Sequence, residues 1–137
     1  MTATIVYDGA LRTTATHVKS GTSIETDAPP DNKGKGERFS PTDLVATALA
    51  TCILTTLGIA AHVHDLDIDG ATCDVTKIMA SDPRRISEIV LVFRFPHSKP
   101  FTDKQKLKIE HIANTCPVFY SLHPDMVKTM SFIWPEA

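Results

Sequence analysis

Three cysteines are the residues in this chain best suited to covalent chemistry: Cys52, Cys73 and Cys116. Cys52 sits in TALATCILTTL, a run of small and aliphatic residues without a charge, and an apolar surround disfavours a thiolate. Such a thiol is a packing residue unless a cation is brought to it; Arg12 is the first candidate and Arg38 the second. Cys116 sits in NTCPVFYSLHPD, where one helix should end and a short helical turn begin. The dipole of the first would disfavour its thiolate and that of the second would favour it. A helix junction also opens more readily than a helix centre, which suits a thiol that must move. Cys73, in DIDGATCDVTKI, has nothing nearby to activate it and reads as structural. A buried thiol and a second thiol at a junction together provide the parts of a two-step redox cycle. One thiolate attacks an O–O bond and becomes a sulfenic acid, and the other condenses with it to a disulfide. An external thiol then resets both.

Other constellations are weaker. His62 and His64 with Cys116 or His123 lack any characteristic metal-ligand spacing, so no metal and no cofactor is expected. A Cys–His nucleophile pair for acyl transfer needs a histidine within hydrogen-bond reach of Cys52. His62 cannot serve from the same helix, lying about 15 Å further along it; His17, His111 and His123 stay open.

The elements that must hold these residues follow from local pattern. Ala3 to Tyr7 and Arg12 to Val18 are rich in Thr, Val and Ile and flank Asp8-Gly9, which predicts a hairpin. Thr22 to Thr26 predicts a third strand, and residues 28–39, APPDNKGKGERF, a mobile loop. SPTD then supplies Ser40 as helix cap, Pro41 in the first helical position and Asp43 for a capping box. The helix should run from Pro41 to about His62, apolar on nearly all sides and about 33 Å long. That length could span a membrane. Thr47, Thr51, Thr55 and Thr56 argue for a core helix instead, and no membrane association is expected. Leu66 to Met79 and Ile86 to Pro96 read as strands, a second helix starts at Thr102-Asp103, and Pro117 should stop it near Cys116. Met126 to Trp134 reads as a last strand.

The order β-β-β-α-β-β-α-β predicts an α+β fold with mostly antiparallel sheets around a long central helix. The 137 residues fit one domain, 1–137. The long helix is too apolar for one small sheet to cover, so a partner subunit should bury part of it. A net charge of −2 with scattered basic residues argues against a nucleic-acid partner. MTATIVYDGA lacks the basic head and apolar stretch of a signal peptide, which makes a cytoplasmic location the expectation.

Two stretches, SPTDLVATALATC and NTCPVFYSL, resemble the segments around the first and second cysteines of the OsmC/Ohr family, the osmotically inducible and organic-hydroperoxide-resistance proteins. Their cysteines lie 64 positions apart, which fits, and the likeness runs along the whole chain. The resemblance implies an OsmC-like fold, an intertwined homodimer and thiol-dependent reduction of organic hydroperoxides by an external dithiol or lipoyl-type reductant. It makes Cys52 the peroxidatic thiol and Cys116 the resolving one, with an N-terminal arginine held by a glutamate. The family's strong peroxidases carry that glutamate ten residues before the first cysteine, where this chain has Thr42. Glu37 is the candidate replacement and Arg12 the preferred arginine; Asp43 is assigned to the helix cap. The chain thus resembles a divergent OsmC-like branch, and a non-enzymatic dimer binding a small apolar ligand in the same pocket is the alternative.

Overall fold

The computed structural model describes residues 1–96 and 100–136. The chain divides into two compact units, Met1–Val45 and Ala46–Ala137.

The first unit is built on an antiparallel sheet in the order β1-β2-β3, with β1 Ala3–Gly9, β2 Arg12–His17 and β3 Ser23–Asp27. The β1–β2 turn falls two residues later than Asp8-Gly9 suggested. Gly9 pairs with Arg12 across a bulge, and Ala10 and Leu11 make the turn with φ of 53° and 62°. Two successive left-handed residues are what a two-residue hairpin needs, although neither is glycine. Neighbouring contacts hold them there. The Tyr7 hydroxyl accepts the Leu11 N–H at 3.3 Å, and the Leu11 carbonyl accepts the Ala28 N–H at 3.1 Å. Asp8 is instead used as a side-chain acceptor for the Thr14 hydroxyl, at 2.6 Å.

Beyond β3, residues 28–39 fold back on the strand that they leave. A single 3-10 turn, Pro30–Asn32, is followed by hydrogen bonds from Gly34 N–H to the Pro29 carbonyl and from Gly36 N–H to the Ala28 carbonyl. A Cβ on Gly34 would lie 1.7 Å from the Ala28 carbonyl oxygen, so only glycine permits this approach. The loop closes where the Phe39 carbonyl accepts the Asp27 N–H at 3.1 Å. Helix α1, Pro41–Val63, starts immediately after it. The capping box is present: Ser40 Oγ accepts the Asp43 N–H at 3.1 Å, and the Asp43 carboxylate accepts the Ser40 N–H at 3.0 Å.

In the second unit, Ala46, Leu49, Ala50, Ile53, Leu57 and Ala61 of α1 form a buried stripe at helical spacing. The stripe belongs to one core cluster with Ile89, Leu91 and Phe93 of β5 (Arg85–Arg94). By length and composition α1 is the one helix among the described residues that could cross a membrane. A third of its apolar stretch is buried in the chain, along the Ala46–Ala61 stripe. Strand β4, Thr72–Ala80, pairs antiparallel with β5. It starts later than expected because residues 68–71 form a turn, with the Ile68 carbonyl accepting the Ala71 N–H and Gly70 at φ 83°. Strand β6, Val127–Ile133, lies parallel to β5 on its other side. Parallel neighbours need a long crossover. Helices α2, Asp103–Ala113, and α3, Pro117–Ser121, supply it. The other strand pairings described are antiparallel, as the sequence suggested.

Candidate active site

Each thiol is placed by the element that carries it. Cys52 follows Leu49 by three positions and precedes Ile53, so it lies at the edge of the buried α1 stripe and is only partly buried. Cys116 lies between two helices for a local reason. A residue before proline is pushed out of helical geometry. Cys116 accordingly adopts φ −75°, ψ 150° and caps α3, with Pro117 in the first helical position. The end of α2 anchors the junction, since Ile109 and Ala113 belong to the same core cluster as Cys116. The Cys116 side chain is 0% exposed.

The two sulfurs meet. The Cys116 thiol is within hydrogen-bonding reach of the Cys52 thiol, and both are reduced. The Cys116 pKa is raised, first by burial; the Phe119 N–H, which the sulfur accepts at 3.3 Å, pulls the other way, and the Cys52 thiol adds to the rise. No histidine figures among these partners of Cys116. His123 uses Nδ1 to accept the Asp125 N–H, and His64 Nδ1 faces Lys108 Nζ at 3.1 Å. Among the described residues no three His, Cys, Asp or Glu side chains converge as a metal site. Cys73 lies on β4 opposite Phe93, and burial pushes its thiol up to about 11.

The first unit holds a separate charged cluster. Arg12 opens β2 and is the cross-strand partner of Asp27, the last residue of β3. Its Nε and Nη2 donate to the two Asp27 oxygens at 2.7 and 2.8 Å, a side-on bidentate pair. Asp27 is 1% exposed and also accepts the Glu37 N–H at 3.2 Å. The Arg12 hydrogen bond holds the Asp27 carboxyl below its usual range, and Asp27 in turn raises the Arg12 guanidinium. Glu37 and Glu25 stand further off, at 3.9 Å from Arg12, and the Glu37 side chain is 60% exposed. Arg38 pairs with Glu25 at 3.2 Å and donates to the Glu37 carbonyl. Thr42 shares a 3.3 Å hydroxyl contact with Ser40 at the start of α1.

Asp27 is the residue the sequence reading passed over. The third strand was expected to end at Thr26, one residue short, which left Asp27 between the strand and the loop. The signal was the hairpin register: once β2 starts at Arg12 and pairs with β3, residue 27 faces it directly.

With this geometry in place, comparison with known proteins is informative. The family profile described as "OsmC-like protein" matches residues 34–130. A structure from Psychrobacter arcticus, assigned provisionally as an osmotic stress induced and detoxification response protein, is similar over 97% of this chain and 96% of its own. Its identity is 47% and its TM-score 0.93. An OsmC-like protein of unknown function from Vibrio cholerae is 16% identical at a TM-score of 0.80, covering 96% of this chain and 97% of its own. An organic hydroperoxide resistance protein OsmC from Legionella pneumophila is 13% identical at 0.75, covering 96% of each chain. These last two likenesses concern the fold alone. No curated protein matches the chain. A profile match over most of the length and a near-superimposable structure at 47% identity lead to one statement: this chain belongs to the OsmC-like protein family.

Proposed function

We propose that this protein is a thiol-dependent peroxidase that reduces organic hydroperoxides through Cys52 and Cys116. One observation carries the reading: two cysteines 64 positions apart lie within hydrogen-bonding reach, and one of them is fully buried. The Cys52 thiolate attacks the distal peroxide oxygen and the O–O bond breaks. Cys52 becomes a sulfenic acid, and the alkoxide leaves as the alcohol after taking a proton from solvent. The Cys116 sulfur then attacks the Cys52 sulfur, the S–O bond breaks, and the hydroxyl leaves as water with the Cys116 proton. A dithiol reductant of lipoyl type returns both thiols and is itself oxidised to a disulfide. No metal and no cofactor is required.

Arg12 is proposed as the cation that favours the Cys52 thiolate, with Glu37 as an ancillary carboxylate beside the guanidinium. The apolar residues that flank Cys52 favour a hydroperoxide with an alkyl or aryl body. We further propose a homodimer acting in the cytoplasm. The support is exposed apolar surface: Ile5, Val6, Tyr7 and Ile24 on the first sheet, and Ile59 and Val63 on α1.

The test is cumene hydroperoxide consumption with dihydrolipoamide as reductant. Wild type is expected to turn over and Cys52→Ser to be inactive. Equal, background rates for both would leave a non-enzymatic protein that binds a small apolar ligand.

A further inference from the structure

We infer that Lys128 is a positioning residue of the resolving step: from β6 it clamps α3 through the Phe119 ring and the His123 carbonyl, and so keeps Cys116 within reach of oxidised Cys52. The inference rests on the peroxidase reading above, but its geometry lies wholly within Ala46–Ala137 and is independent of that reading. Helix α3 has five residues, none of them fully buried. So short a helix has no stability of its own. Its first turn is held by Cys116, whose sulfur accepts the Phe119 N–H at 3.3 Å. To bond Cys52, that sulfur must close from hydrogen-bonding reach to about 2.05 Å. Cys52 rides on the 23-residue α1 and Cys116 on a helix junction, so Cys116 supplies most of the movement. The movement draws the sulfur from the Phe119 N–H, and something other than the cap must then hold α3.

Lys128 is placed to do this. It lies on β6 opposite Ile89 of β5, a fully buried residue, so the sheet fixes its backbone. Its ammonium stands 5.1 Å from the centroid of the Phe119 ring, inside the range of a cation–π contact. The same ammonium donates to the His123 carbonyl at 3.3 Å. Phe119 is inside α3 and His123 lies just past its end, so one side chain grips the helix at two points. The His123 carbonyl also accepts the Met126 N–H at 3.0 Å, which ties the turn to the start of β6. Neither Lys128 contact uses the Cys116 sulfur, so both persist while the sulfur moves. Val118, Phe119 and Leu122 also pack against the core cluster, but apolar contact is non-directional. The ammonium adds the fixed point that such packing lacks.

The experiment compares Lys128→Leu, Lys128→Arg, Phe119→Leu and the double variant Lys128→Leu/Phe119→Leu, all with Cys73→Ser so that one disulfide reports. The first arm equilibrates each protein with reduced and oxidised glutathione and reads the Cys52–Cys116 disulfide by intact mass after alkylation. The protein loses two hydrogens as glutathione disulfide becomes two thiols, so no peroxide is needed. Lys128→Leu is expected to lower that equilibrium constant by about 2- to 10-fold, the span of a cation–π contact between exposed and desolvated sites. Phe119→Leu should lower it as well, and the double variant should lose less than the product of the two, because they share one interaction. Lys128→Arg keeps a cation over the ring and should stay within about twofold of wild type. The second arm uses cumene hydroperoxide. Cys52 sulfenic acid partitions between Cys116 and a second peroxide that takes it to the sulfinic acid. Lys128→Leu should raise the sulfinic fraction, while the first oxidation of Cys52, timed in a Cys116→Ser background, keeps its rate. A merely structural Lys128 would lower the thermal unfolding temperature of the reduced protein and move neither ratio. Should Lys128→Leu fail to fold, Lys128→Gln, which removes the charge alone, takes its place. An unchanged glutathione constant, losses that multiply, or no recovery in Lys128→Arg overturns the inference, as does a wild-type pair that stays reduced at every glutathione ratio. A wild type that forms the disulfide but consumes no peroxide sinks the peroxidase reading alone, and the glutathione arm still decides whether Lys128 holds Cys116 to Cys52.

Discussion

Replacing Cys116 with serine separates its structural work from its chemistry. Its sulfur caps α3 by accepting the Phe119 N–H at 3.3 Å, and its side chain is fully buried. Serine is a preferred cap, worth about 1 kcal/mol over a residue that cannot accept. A buried hydroxyl without a partner costs about 1–3 kcal/mol. Here the oxygen keeps the Phe119 N–H, and the hydroxyl proton has the Cys52 sulfur within reach. The two effects should cancel to within about 1 kcal/mol. Cys116→Ala loses the cap without any return and should be less stable than Cys116→Ser by about 1–2 kcal/mol. Urea unfolding measures that difference. The chemistry should respond in the opposite manner, since both variants lack the resolving thiol. The first oxidation of Cys52 proceeds in each, but excess cumene hydroperoxide drives it on to the sulfinic acid, seen by intact mass as two added oxygens. Wild type stops at the disulfide, with two hydrogens lost. A Cys116→Ser protein that resists over-oxidation as well as wild type would refute the reasoning, as would one unfolded by several kcal/mol.

Four further outcomes test other parts of the account. Phe93→Ala removes a wholly buried ring stacked on Phe132 at 5.3 Å and should cost about 3–5 kcal/mol by urea unfolding, against about 0.5 kcal/mol or less for exposed Leu107→Ala. Gly34→Ala should cost about 1–3 kcal/mol and lower peroxide turnover, because its Cβ would enter the Ala28 carbonyl beside Asp27. Asp27, held low by Arg12, contributes stability that is complete above the ordinary carboxylate range and disappears as acid protonates it; Asp27→Asn should flatten that acid limb in thermal unfolding. Cys73, with its thiol at about 11, should stay protonated and react slowly with iodoacetamide at mildly alkaline pH.

What could be read from the letters was local. Ser40, Pro41 and Asp43 announce the start of α1 because a capping box is made by residues three apart. Pro117 breaks the chain at Cys116 because the clash is with the residue immediately before it. What could not be read depends on residues distant in sequence. Asp8-Gly9 carries a strong turn signal, but the bulge at Tyr7/Gly9 and the bond to Ala28 move the turn to Ala10 and Leu11. That β6 runs parallel to β5 follows from the path of α2 and α3, which no strand pattern encodes. The ionisation of Cys116 could not be read without its burial, the largest influence that raises its pKa. Asp27 required register, a property of two strands rather than one.

The most direct test of the central claim is to treat reduced wild-type protein with one equivalent of cumene hydroperoxide and map its cysteines by peptide mass spectrometry. The account predicts a single disulfide joining Cys52 to Cys116 within each chain, with Cys73 still free. Intact thiols at Cys52 and Cys116, or a disulfide that uses Cys73 or links Cys52 between chains, would contradict it.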